Sequence, residues 1–101
     1  MPELRVLVVE DDPVAAEAHR TYVERLPGFT CLGVAGTAAR ALQVLARGDV
    51  DLVLLDMHLP DATGLDVFRD VRRLDRRTPV VFITGSAGTD TAIEAMKEGA
   101  F

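Results

Sequence analysis

The sequence predicts an α/β fold, a doubly wound parallel sheet with helices on both faces. Three observations predict it. Short apolar, β-branched segments alternate with longer segments of helical periodicity. The apolar segments do not alternate in and out as a half-solvated sheet would, so both of their faces are expected to be covered. The strand–helix unit repeats four times, and such a repeat joins parallel strands by right-handed crossovers.

The first strand is "LRVLVV" (4–9), short and bounded by acids. "PVAAEAHRTYVERL" (13–26) follows as a helix, with Ala15, Ala18, Tyr22, Val23 and Leu26 on one face and Pro13 suited to the first helical position. After the Pro27-Gly28 break, "FTCLGVA" (29–35) reads as the second strand. "AARALQVLAR" (38–47) places Ala38, Ala41, Leu42 and Leu45 on one stripe, with Thr37 as N-cap and Gly48 as stop. "DLVLL" (51–55) is the third strand, and "LDVFRDVRRL" (65–74) is a helix with Leu65, Phe68 and Val71 at helical spacing. "PVVFIT" (79–84) is the fourth strand, and "DTAIEAMKE" (90–98) is a last helix capped by Thr89 and followed by Gly99.

Composition narrows the function classes. A chain of 101 residues with 49% hydrophobic residues is one domain with a real core. The formal net charge of -5 argues against nonspecific nucleic-acid binding, which needs clustered Lys and Arg, and is compatible with acids that hold a cation. A single cysteine, Cys31, excludes an internal disulfide and reads as a small core residue in a reducing compartment. No apolar run has the form of a signal peptide or the length of a membrane span, so a soluble cytoplasmic protein is expected. His19 has no second His or Cys at a zinc-like spacing, which argues against zinc.

The acids are placed more tellingly than they are counted. The first strand runs into Glu10-Asp11-Asp12, the third into Asp56, and the fourth into Thr84-Gly85-Ser86. In an open parallel sheet, ligands bind at the C-terminal strand ends where the strand order reverses. In the flavodoxin-like order 2-1-3-4, Glu10, Asp11 and Asp56 converge on one crevice. Asp12 precedes Pro13 and is read equally as a cap of the first helix. Asp56 has no helix directly after it to cap. His58, Pro60 and Gly64 each also have a plain loop or turn reading, and Thr84 could be an ordinary strand residue. Clustered carboxylates repel one another, and a cation relieves that cost. All-oxygen ligands suit Mg²⁺, beside which a carboxylate can act as a nucleophile toward phosphorus. The Thr84 hydroxyl and the backbone amides of residues 57, 58 and 85 are candidate donors to phosphoryl oxygens.

The segments "VLVVEDDP", "DLVLLDMHLPDATGLDVF", "TPVVFITG" and "TAIEAMKEGAF", in this order and spacing, resemble the receiver domain of two-component response regulators over the whole chain, residues 1–101. The first two-thirds most resembles the citrate- and dicarboxylate-responsive regulators, and the last third the receivers of nitrogen-regulatory activators. The resemblance implies that Asp56 is the phosphoacceptor for a phosphohistidine of a sensor histidine kinase. It implies a Mg²⁺ site from the acidic run Glu10, Asp11 and Asp12 with Asp56 and the backbone carbonyl of His58, Asp11 being the direct ligand of the run. Thr84 matches the family's switch hydroxyl, and Pro60 and Gly64 match the loop after the acceptor.

Relative to that family, the fifth strand and helix fall beyond Phe101, so the expectation is a (βα)4 fragment. With them falls a lysine expected near position 106 that contacts the phosphoryl group, and phosphorylation of the fragment is expected to be impaired. Contact with an output domain or DNA is expected only through the missing C-terminal part, and a homodimer or swapped assembly is expected to cover the exposed edge. The protein is read as a signalling switch rather than an enzyme. The alternatives are a receiver-like binding module that works without phosphorylation, and a Mg²⁺-dependent aspartyl phosphohydrolase. The second would carry an Asp two residues after the nucleophile, where this chain has His58.

Overall fold

The computed structural model describes residues 3–74 and 77–83. Within them the order is β1 (Leu4–Val9), α1 (Pro13–Arg25), β2 (Phe29–Ala35), α2 (Ala38–Leu45), β3 (Leu52–Asp56), α3 (Gly64–Leu74) and β4 (Val80–Ile83). The strands form one parallel sheet in the order β2-β1-β3-β4, as the sequence predicts. The expected helix at 90–98, its cap Thr89, and Gly99 lie outside the described residues.

β1 is buried from Val6 to Val9 because helices cover both of its faces. On one face, Leu7, Val9, Val53, Leu55 and Val80 pack with Ala38 and Ala41 of α2 and with Val67, Phe68 and Val71 of α3. Val6 and Val8 alternate to the other face, where α1 brings buried Ala16 and Val23. The Phe68 and Phe82 rings meet at 5.7 Å between centroids, and the Arg72 guanidinium lies 4.6 Å above Phe68.

The buried stripe of α1 differs from the expectation. Ala16 and Val23 face the sheet, Ala15 and Leu26 are half-buried, and Ala18 and Tyr22 point to solvent, Tyr22 being 64% exposed. Two stripes compete on this helix, 15/18/22 and 16/19/23. The polarity of His19 disguises the second, yet His19 is half-buried there because its ring reaches toward the sheet edge.

Local chemistry sets the boundaries. Asp51 lies just outside β3 because its carboxylate accepts from the Arg5 amide at 2.8 Å and from Arg5 Nε at 3.2 Å. Thr37 caps α2 as expected, its hydroxyl accepting from the Arg40 amide at 3.1 Å. Gly48 ends that segment with φ 81, a conformation that favours glycine. At the start of α3, Thr63 and Asp66 exchange side-chain to backbone hydrogen bonds at 3.2 and 3.4 Å, a capping box with Asp in the acidic role. No helix among the described residues is long and apolar enough to cross a membrane.

Candidate functional site

The register of the two central strands builds the site. Val9 of β1 stands opposite Leu55 of β3. The next residue on each strand is therefore Glu10 and Asp56, and the two carboxylates emerge side by side. Asp11 joins them: Glu10, Asp11 and Asp56 each bring a carboxylate oxygen within 4.8 Å of the others. Glu10 is buried, Asp56 half-buried and Asp11 exposed, so the cluster is rooted in the sheet and open to solvent on one side.

The other candidate residues have separate tasks. Asp12 is the N-cap of α1, its Oδ1 accepting from the Val14 amide at 3.0 Å, and it stands outside the trio. Its own amide points at Glu10 Oε2, 3.5 Å away. The backbone amide of His58 donates to Asp56 Oδ1 at 3.3 Å, while the His58 side chain is exposed. Thr84 lies outside the described residues.

Electrostatics follow from this crowding. Burial is the largest cause that pushes the Glu10 carboxyl up, to about 7. A hydrogen bond with Asp56 and repulsion from it act in the same direction, and the Asp12 amide opposes them. The neutral form of Glu10 is therefore favoured beside Asp56. A divalent cation would remove that conflict by taking both charges at once.

Two contributors, His19 and Asp61, were not singled out for this site in the sequence, and Gly64 was singled out only for its place in the loop after Asp56. His19 Nε2 lies 3.8 Å from Glu10 Oε1, beyond a direct hydrogen bond and within ion-pair range. Its place on the buried 16/19/23 row was the available signal. Gly64 donates its amide to the Met57 carbonyl at 2.8 Å. A Cβ there would stand 2.6 Å from the Asp56 carbonyl oxygen and 2.8 Å from Met57 Cα, so only glycine lets α3 start this close to the acid. Asp61 reaches α2, accepting from the Ala38 amide at 2.8 Å and the Ala39 amide at 3.1 Å. These two amides hold its carboxyl below the usual range.

A family model described as the response regulator receiver domain matches residues 6–101. The chain is 39% identical over 93 residues to the regulatory protein LuxO of Vibrio cholerae, covering 92% of this chain and 20% of that protein. It is 30% identical over 95 residues to the probable C4-dicarboxylate response regulator DctR of Priestia megaterium, covering 94% and 42%. It thus spans less than half the length of these curated relatives. Among solved structures, a response regulator protein from Burkholderia pseudomallei with a phosphorylated aspartic acid, calcium ion and citrate is similar. Its TM-score is 0.83 at 26% identity, over 97% of this chain and 56% of that one.

Proposed function

Because the chain belongs to the response regulator receiver domain family, we propose that Asp56 accepts a phosphoryl group from a phosphohistidine of a sensor kinase. The observation that carries this reading is the convergence of Glu10, Asp11 and Asp56 at the switch point of the sheet. The phosphorylated aspartic acid and calcium ion of the B. pseudomallei protein support it.

Among the described residues the set is three carboxylates with no nitrogen or sulfur ligand, which suits Mg²⁺ rather than zinc. Glu10, Asp11 and Asp56 would hold the ion, with the His58 carbonyl as a further oxygen donor. Bound there, Mg²⁺ supplies positive charge for the phosphoryl oxygens. The chain's own groups do the rest. The His58 amide orients Asp56 through Oδ1, leaving Oδ2 for attack on phosphorus. An O–P bond forms at Asp56 as the P–N bond to the kinase histidine breaks, and the imidazole nitrogen keeps the electron pair. The product is an acyl phosphate on a switch. A phosphohydrolase would need an acid two residues after Asp56, where His58 stands with its side chain in solvent.

Incubation with acetyl phosphate and Mg²⁺, followed by intact mass, tests the reading. One added phosphoryl group is expected, lost in Asp56→Asn and without Mg²⁺. Absent labelling with the fold intact would instead favour a binding module that works without phosphorylation.

A further inference from the structure

We propose that Asp61 is a positioning residue for this site: it anchors the loop between β3 and α3 on the N-terminus of α2, and so sets the place of the His58 amide beside Asp56. The bonds are unusual in reach. A helix normally meets its free N-terminal amides with its own cap. In α2, Thr37 serves only the Arg40 amide among these. The Ala38 and Ala39 amides are served by the two oxygens of Asp61, 23 and 22 residues away in sequence. The helix end, with its partial positive charge, holds a carboxylate well.

The loop between Asp61 and Asp56 transmits this hold. His58 and Thr63 form an antiparallel bridge. The Leu59 amide donates to the Ala62 carbonyl at 3.1 Å, and the Gly64 amide to the Met57 carbonyl at 2.8 Å. Leu59 and Ala62 pack against the core, and Pro60 fixes one more dihedral. A loop tied at so many points moves as one piece. The His58 amide bonds Asp56 at 3.3 Å, near the long limit for such a bond, so a small shift of the loop would break it. Local turn chemistry places the residues; the anchor on α2 places the turn.

The test compares Asp61→Ala, Asp61→Asn and Thr37→Ala by NMR, following the His58 and Ala38 amides without metal and during a Mg²⁺ titration. The Mg²⁺ arm rests on the proposed function; the metal-free arm does not. In Asp61→Ala the His58 amide should shift and exchange faster without metal. Its Mg²⁺ affinity should fall about tenfold, the low end for outer partners of a metal site. Asp61→Asn keeps one acceptor oxygen and should lose less; it also carries the test if the alanine variant does not fold. Thr37→Ala removes a cap of the same helix and should lower stability while leaving the His58 amide and Mg²⁺ affinity unchanged. An unmoved His58 amide in Asp61→Ala, or an equal change in Thr37→Ala, would overturn the proposal. Failure of the unaltered protein to bind Mg²⁺ would overturn the reading of the ion site, and the metal-free arm would still decide the anchor.

Discussion

Glu10 shows how a single residue sets the pH behaviour of the site. Its carboxyl titrates near 7 in the folded chain against an ordinary 4.5. Between those values the folded chain binds a proton that the unfolded chain has released, so stability falls as pH rises through the window. The stabilisation is fully present below pH 4.5 and lost above pH 7, with a size of up to about 3 kcal/mol. Urea unfolding at pH 5 and pH 8 should show this loss in the unaltered chain and a much smaller one in Glu10→Gln. A similar slope in both would locate the effect elsewhere. A second residue-scale prediction concerns Gly64. The methyl of Gly64→Ala would meet the Asp56 backbone rather than a side chain that can turn away. Overpacking of this kind costs roughly 1–3 kcal/mol. The melting temperature should drop, and labelling at Asp56 should drop with it because the strand end must move.

At the scale of the element, α1 has two loads on its first turn. Asp12 caps the helix, and its neighbour Asp11 belongs to the acidic trio. Loss of an N-cap costs about 1 kcal/mol. Asp12→Ala should therefore lower stability by that amount, and Asp12→Ser, which keeps a capping oxygen, should restore it. If capping is the task of Asp12, both variants bind Mg²⁺ nearly as the unaltered chain does. A large affinity loss in the serine variant, measured by calorimetry, would add Asp12 to the proposed ion site. The same helix presents Val14, 78% exposed, and Tyr22 to solvent, so its apolar content is not a guide to its buried face.

At the scale of the whole molecule, Phe68 joins the layers. It is fully buried, lies beneath Arg72, and meets Phe82 across the boundary between α3 and β4. Replacing such a ring by alanine costs about 3–5 kcal/mol, a large part of the 5–15 kcal/mol that holds a small domain together. Phe68→Ala is expected to unfold at a much lower urea midpoint. Because Phe82 also closes on Gly64, the change should disturb the Asp56 loop before global unfolding. A variant with unchanged midpoint would mean that the α3 layer contributes little to the cooperative unit.

The sequence by itself determined the element order, the parallel sheet and the acids at its edge. β2 was legible to the residue because Pro27-Gly28 and the Thr37 cap bracket it, and apolar runs of strand length are a local signal. The resemblance to receiver domains pointed to Asp56, Glu10 and Asp11 because those motifs are contiguous. Three things were decided only by the tertiary structure. The register Val9 opposite Leu55 brings Glu10 to Asp56, and register depends on how the crossover packs. The buried face of α1 was chosen by the sheet beneath it, which accepts His19 where periodicity favoured Tyr22. Asp61 found the amides of Ala38 and Ala39 through space. Hydrogen bonds between distant segments leave no periodic trace in the chain, since the partner is set by the packing of layers and not by sequence spacing.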